Sequence, residues 1–238
     1  VAEQRWGLVG GRRMAGVVTA LMVDGDDLYV AGKFSDADRR SNLAVWNDVT
    51  GAWRSLCGLS GVCGVSGGEV RSMAILGGSL YFAGSFTSAG GVPAHRLARW
   101  DGREWYAAGD VNGEVNAMAV VRSQLFIGGA FTAVGQTPTA NAARLRAGHW
   151  EGLGEGVGGE VLALHAFGGC VYVGGRFEAV EGHAAVQGVA VEGVARWCFD
   201  PENKADAQWQ AVHVDGGSVG SCRVILPWDR PSSDGNDQ

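Results

Sequence analysis

Leu80-Tyr81-Phe82-Ala83-Gly84-Ser85-Phe86, followed by Leu97-Ala98-Arg99-Trp100-Asp101-Gly102 and then Trp105, is the stretch from which the rest of the chain can be read. Its first part returns as Leu28-Tyr29-Val30-Ala31-Gly32-Lys33-Phe34, as Leu125-Phe126-Ile127-Gly128-Gly129-Ala130-Phe131 and as Val171-Tyr172-Val173-Gly174-Gly175-Arg176-Phe177. The closing phenylalanines stand 52, 45 and 46 residues apart. A second apolar segment precedes each copy, beginning near Val17, Val70, Val115 and Val161. A third follows, clearest in Leu97 to Gly102 and Val194-Ala195-Arg196-Trp197, weaker in Leu43-Ala44-Val45-Trp46 and Ala142-Ala143-Arg144-Leu145. A tryptophan marks the fourth: Trp53, Trp105, Trp150 and Trp209. Four aligned copies of a four-part unit are an internal repeat.

Each part is four to seven residues long, rich in Val, Leu, Tyr, Phe and Trp, and bounded by glycine or polar pairs such as Gly77-Gly78-Ser79. That is strand-and-hairpin chemistry. No 3.6-residue apolar stripe persists for three turns, so helix is a poor rival. Four strands per unit of about 45–50 residues predict an all-β chain, a β-propeller of four-stranded sheets that bury each other's faces. The units run about 17–56, 70–108, 115–152 and 161–212. The small Gly-Gly or Ala-Gly pairs are expected where backbones approach closely. Phe34, Phe86, Phe131, Phe177, Trp53, Trp105, Trp150 and Trp209 are expected to fill the space between sheets rather than hold ligands.

Composition agrees. There are 40 glycines among 238 residues, more than twice the usual ~7%, beside nine tryptophans and 46% hydrophobic residues. Disorder would not carry that apolar load. Net charge is −6, and the only lysines are Lys33 and Lys204, so there is no clustered basic surface for nucleic acid. No apolar run approaches the ~18 residues of a membrane span. The chain opens Val1-Ala2-Glu3 with no leader pattern; a removed leader and a piece of something longer both remain open.

An apolar strand ending in Gly-Gly, an aromatic-Asp pair and a tryptophan a few residues on together resemble the kelch repeat. Gly-Gly-x-Phe-Thr followed by Ala-Arg-Trp-Asp-Gly is similar to the kelch-related repeats of secreted and cell-surface propellers, in the broad group of the galactose-oxidase propeller. Phe86-Thr87 and Phe131-Thr132 keep the Phe-Thr step, whereas Phe34-Ser35 and Phe177-Glu178 depart from it. The resemblance covers about residues 5–212 and implies architecture, since propellers host many unrelated activities.

Trp6 reads as the end of a preceding unit, with a terminal strand near 5–9, and residues 219–226 read as the first strand of a following one. A propeller over 1–226 therefore has four or five blades. Another copy of the chain supplying missing strands is a third arrangement. Residues 227–238 read as a polar tail or linker.

The five cysteines point to an oxidising compartment. Cys57 and Cys63 bracket a loop absent from the other units, and a loop-closing disulfide is expected. Cys170 enters the second strand of unit four and Cys198 leaves the third, ends that meet in an antiparallel pair. Cys222 is left over, either free or bridging to another chain. Five reduced thiols are the competing reading.

No catalytic constellation, cofactor motif or metal site emerges. His95, His149, His165, His183 and His213 form no ligand pair at short spacing. The galactose-oxidase likeness suggests a copper-radical oxidase as a rival, but Tyr29, Tyr81 and Tyr172 share one repeat slot that packing explains, and Tyr106 follows Trp105. Asp24-Gly25-Asp26-Asp27 and Asp36-Ala37-Asp38 are acidic clusters of the kind that hold calcium; the first reads foremost as a turn between two strands, and the second stands where unit two has Ser88 to Gly91. Three departures from the repeat are the expected recognition surface: the Cys57–Cys63 loop with Ser66-Gly67-Gly68, residues 179–193, and residues 201–207. The sequence thus predicts an extracellular, secreted or cell-surface, non-enzymatic module. It would bind protein or glycan partners or assemble with its own copies through terminal strands, with no nucleic acid and no membrane span. The alternative is a propeller domain of a secreted carbohydrate-active or oxidase enzyme.

Overall fold

The computed structural model describes residues 8–11, 14–35, 41–177, 179–181, 189–190, 193–199 and 208–212. Apart from one 3-10 turn at Val9–Gly11, the regular structure of these residues is all strand. Among them no helix is long and apolar enough to cross a membrane.

Each repeat unit is one four-stranded antiparallel sheet in which neighbours in sequence are neighbours in space. The first comprises β1 (Ala15–Asp24), β2 (Asp27–Ser35), β3 (Ser41–Asn47) and β4 (Ala52–Arg54). The second holds β5 (Val70–Leu76), β6 (Ser79–Gly84), β7 (Leu97–Trp100) and β8 (Trp105–Ala107). The third holds β9 (Glu114–Val121), β10 (Gln124–Ala130), β11 (Ala142–Arg146) and β12 (His149–Gly152). The fourth holds β13 (Glu160–Phe167), β14 (Cys170–Arg176), β15 (Val194–Cys198) and β16 (Gln208–Ala211). Tight turns at Gly25-Asp26, Gly77-Gly78, Arg122-Ser123 and Gly168-Gly169 join first and second strands, with positive φ at Gly25, Gly77, Gly78, Arg122, Ser123, Gly168 and Gly169.

Every first strand carries a one-residue bulge at the same repeat position, leaving Thr19, Arg71, Asn116 and Leu162 without a paired residue on the second strand. The bulge explains half of each small pair. A Cβ on Gly129 would lie 1.9 Å from the Glu114 carbonyl oxygen, across the bulge in its own sheet. The other half faces the next sheet, where a Cβ on Gly128 would lie 2.4 Å from Val161 Cγ1. One glycine is demanded by the sheet and the other by the stack.

The sheets pack in series, and three apolar clusters fill the three contacts. Tyr29, Ala31 and Leu43 of the first sheet meet Val70, Phe82 and Trp105 of the second. Tyr81, Ala83 and Leu97 of the second meet Val115, Ile127 and Phe131 of the third. Ala119, Phe126 and Ala142 of the third meet Val161, Val173 and Trp209 of the fourth. Each sheet therefore presents a leading face, rich in Phe and Trp, to the trailing face of the sheet before it. Buried strands such as β6 have apolar contacts on both sides, which is why Leu80-Tyr81-Phe82-Ala83 reads as a continuous apolar run rather than an alternation.

Two polar ties repeat across these contacts. The indole Nε1 of Trp105 donates to the Leu56 carbonyl (3.2 Å), that of Trp150 to Ala108 (2.8 Å) and that of Trp209 to Leu153 (2.8 Å). In the other direction, Asn42 Nδ2 donates to the Val65 carbonyl (3.3 Å), Arg96 Nη1 to Val111 (2.7 Å) and Asn141 Nδ2 to Val157 (2.8 Å). Asn42, Arg96 and Asn141 all sit in the left-handed region, at φ 64°, 68° and 61°.

Candidate interaction surface

The loop between the first and second sheets is held by two devices. The Cys57 and Cys63 sulfurs lie 1.98 Å apart, a disulfide across six residues of sequence. Leu59 N donates to Glu104 Oε1 (3.0 Å) and Ser60 Oγ to the Gly90 carbonyl (3.2 Å), so the loop is fastened to the second sheet. Its apolar residues nevertheless point outward: Leu59 is 73% exposed and Val62 48%. The second expected pair, Cys170 and Cys198, stands directly opposed on β14 and β15 with its sulfurs 2.10 Å apart. Cys222 lies outside the described residues.

The eight repeat aromatics fall where packing needs them, with one gradation. Phe34, Phe86, Phe131, Phe177, Trp105 and Trp209 are buried, while Trp53 and Trp150 are half-buried. Residues 179–193, read from sequence as an insertion, contain Ala179–Glu181 and Val189–Ala190, which pair with each other, the first pairing also with Gly156–Val157. Ser88–Ala89 with Val92–Pro93 and Ala133–Val134 with Thr137–Pro138 are the shorter equivalents in the second and third sheets. This small hairpin belongs to the repeat. Its strands are too short for alternation to reveal, and the Phe-Thr…Gly…Pro spacing that marks it in the second and third units is missing after Phe177-Glu178.

The titratable residues singled out above are dispersed. His95 Nδ1 is 3.1 Å from Asp110 Oδ1 at an exposed site, His149 is exposed, and His165 is half-buried on the trailing face of the fourth sheet. Tyr29 and Tyr81 are buried, and the Tyr172 hydroxyl accepts from Arg196 Nη1 (3.3 Å). Burial raises the Tyr29 phenol above its ordinary value. Tyr106 is exposed beneath the Arg99 guanidinium, 4.6 Å from its ring centre. His183, His213, Asp36, Asp38 and residues 201–207 lie outside the described residues. Among the described residues no group of three or more His, Cys, Asp or Glu side chains is arranged to hold a metal ion.

Glu69, Glu114 and Glu160 occupy one repeat position at one end of the first strands, and cations and amides answer them. Arg71 bonds Glu69 (2.8 Å), Glu114 and Asn116 (2.7 Å); Asn116 bonds Glu160 (3.2 Å) and the Val161 carbonyl (2.9 Å). Burial would lower the Arg71 guanidinium, but its bonds to Glu69 and Glu114 outweigh that and raise it. The bulge residues Arg71 and Asn116 are thus polar links from one sheet to the next at one end of the first strands.

The leading face of the first sheet differs from the other three. Its turn Asp24-Gly25-Asp26-Asp27 is a β1–β2 turn in which Asp27 accepts from Asn47 Nδ2 (2.9 Å) and pairs with Arg54. Beside it runs an open groove of about 540 Å³, lined by Val23, Leu28, Trp46, Asp26, Asp48 and the Val9-Gly10 backbone. Trp46 packs against Trp53 with ring centres 5.5 Å apart, the pair formed also by Trp100–Trp105 and Trp197–Trp209. No protein-family model matches the chain, and no curated protein matches it either.

Proposed function

We propose that this chain is a kelch-like β-propeller module that works outside the cell by binding rather than by catalysis. The observation that supports it is the head-to-tail packing of like sheets, with an indole reaching the preceding unit's carbonyl at the same place in each of three contacts. Units that dock on one another through one repeated contact wind about an axis. Two disulfides agree with an oxidising compartment. The recognition surface is the set of tips that depart from the repeat, above all the fastened loop from Cys57 to Cys63 with Leu59 and Val62 outward. A rigid loop with exposed apolar residues loses little entropy on binding. The partner is a protein or a glycan, or a further copy engaged through the ends of the chain; of the end segments expected from sequence to be strands, Val9 stands in the 3-10 turn Val9–Gly11, and residues 5–7 and 219–226 lie outside the described residues.

The test has two parts. Single-particle images of the purified chain should show a ring with a central axis, and an elongated or irregular particle would remove the propeller. Arrays of glycans and secreted ectodomains should yield a ligand whose affinity falls about tenfold in Leu59→Asp, with melting unchanged, as expected for one buried apolar contact worth about 1.4 kcal/mol. A ligand that is chemically converted would replace binding with catalysis.

A further inference from the structure

The two ends of the row of sheets handle charge differently. First and third strands of a sheet run the same way, and equivalent positions of neighbouring sheets touch, as Thr19 does Val70 and Asn116 does Val161. The turns that follow first and third strands therefore all lie at one end of the row. At the opposite end the charges answer one another: Glu69 and Glu114 pair with Arg71, Glu160 with Arg176, and Asp110 with His95. The turn end is instead sorted by sheet. In the first sheet Asp27 is taken by Arg54, but Asp24, Asp26 and Asp48 are exposed, and among the described residues none of these three pairs with a cation. In the third sheet Arg122 and Arg146 are exposed, and among the described residues neither pairs with a carboxylate.

Both sets of charges are held in place. Asp48 N donates to the Asp26 carbonyl (2.9 Å) and Asp48 Oδ1 accepts from the Trp46 indole (3.4 Å), so the two acidic turns are tied together. The Arg122 guanidinium lies over the Phe199 ring, 5.2 Å from its centre, and a stacked guanidinium keeps the N–H groups of its edge for a carboxylate. Arg122 and Ser123 hold φ of 48° and 57°, where the second and fourth sheets use Gly77-Gly78 and Gly168-Gly169. A Cβ-bearing residue in the left-handed region costs stability, and glycine would serve this turn better. An arginine held in that conformation points to a task outside its own turn.

We propose that the turn end is a self-complementary face on which a second copy of this chain docks about a twofold axis beside Gly77-Gly78. Such an axis lays the first sheet of each copy over the third sheet of the other. Asp24, Asp26 and Asp48 of one copy then meet Arg122 and Arg146 of the other, and every contact occurs twice. The second sheet suits the axis. A Cβ built on Gly77 or Gly78 would meet nothing within 4 Å, so two backbones can approach there. Val49, 75% exposed beside Asp48, and Ala147, exposed beside Arg146, add an apolar contact between the charge clusters.

Charge order selects the occupant. A partner of one sign would answer one cluster and be repelled by the other. The surface that carries both clusters in reversed order is this same face turned over. Exposed ion pairs are individually weak, so two clusters used twice over make a dimer that forms with concentration and loosens with salt. The proposal needs the first three sheets in their row and nothing of ring closure. It also leaves the loop from Cys57 to Cys63 open to its own partner.

The test is sedimentation equilibrium of the full chain. It should show twice the mass of one chain, with a dissociation constant that rises about tenfold or more between about 0.02 M and about 0.5 M salt. Arg122→Glu with Arg146→Glu should be monomeric, and so should Asp26→Lys with Asp48→Lys. Mixed in equal amounts, these two variants should form a dimer of mixed composition, because each then meets its opposite. Since Arg122 also stacks on Phe199, Arg146→Glu alone is the second variant, expected to weaken the dimer about tenfold as one exposed pair lost twice. A native chain that is monomeric at low salt at every concentration would overturn the proposal. So would a dimer indifferent to salt and to both variants, or a mixture that stays monomeric. Capture of polyglutamate by a chain that never self-associates would overturn it in favour of a separate acidic partner. Leu59→Asp should leave the dimer intact, so the failure of this face and the failure of the recognition loop are told apart.

Discussion

The second sheet and the first are built to one plan, yet they live in different surroundings. The second has a neighbour on each face, so Phe82, Ala83, Leu97 and Ala98 are all wholly buried. Among the described residues the first has a neighbouring sheet on its trailing face only, and on its leading face Val18, Leu21 and Val23 are exposed. The repeat therefore specifies a sheet that is apolar on both sides whether or not a given copy is covered on both. The difference teaches where stability is concentrated: in the contacts between sheets, and least in the sheet at the end of the row.

The sharpest way to break the comparison is to truncate the same tryptophan in both sheets. Trp105 is 3% exposed, packs 5.1 Å from Phe82 and 5.3 Å from Trp100, and donates across the contact. Trp105→Ala should cost about 3–5 kcal/mol, the range for a large aromatic removed from a closed core. Trp53 is half-buried and its indole bond is longer, so Trp53→Ala should cost about half as much. Denaturant midpoints at constant slope measure both. Equal losses would mean that the first sheet is as fully covered as the second.

A smaller effect tests the ties. Asn141 Oδ1 accepts from Phe131 N (3.1 Å) while its Nδ2 reaches Val157, joining the third sheet to the approach of the fourth. Asn141→Ala removes both bonds and puts a Cβ-bearing residue without local hydrogen bonds at φ 61°, for a loss of about 2–3 kcal/mol. Asn141→Gly keeps the backbone comfortable and should lose about 1 kcal/mol less. If the two variants are equally stable, the left-handed turn is not part of the cost.

These ties mark the boundary of what the residues disclose in one dimension. The four strands of each unit were legible because Leu-Tyr-Phe-Ala-Gly and Ala-Arg-Trp are long enough to align. Both cysteine pairs were legible too, one from its short loop and one from the meeting of strand ends. The Asn42, Arg96 and Asn141 latch was not, because an asparagine, an arginine and another asparagine share no residue type. What they share is a backbone conformation and a direction of donation, neither of which is written in residue identity. The bulges escaped for the same reason, since Thr19, Arg71, Asn116 and Leu162 have only their place in common. The uncovered face was foreshadowed by the half-units at the two ends, but which side chains lie open follows only from knowing which face of β1 each occupies.

The smallest effect separates two carboxylates by what holds them. Burial pushes the Asp27 carboxyl up, but bonds from Asn47 and Arg54 outweigh it and hold the group below its ordinary value. Asp101 in the second sheet is lowered as well, first by the backbone N–H of Glu104 and then by that of Arg103, at 2.8 and 2.9 Å. A carboxylate whose folded-state value is lowered adds stability above its unfolded value and loses it as pH falls through the folded one. Both sheets should therefore weaken on acidification, and Asp27→Asn or Asp101→Asn should each flatten the acid limb of the stability profile slightly. Salt tells them apart. Arg54 is a half-exposed cation whose attraction for Asp27 is screened by salt, whereas the amides bonded to Asp101 belong to the backbone of its turn. Raising ionic strength should shrink the Asp27 contribution and leave that of Asp101, and the reverse order would mean that the first-sheet turn is the more rigid of the two.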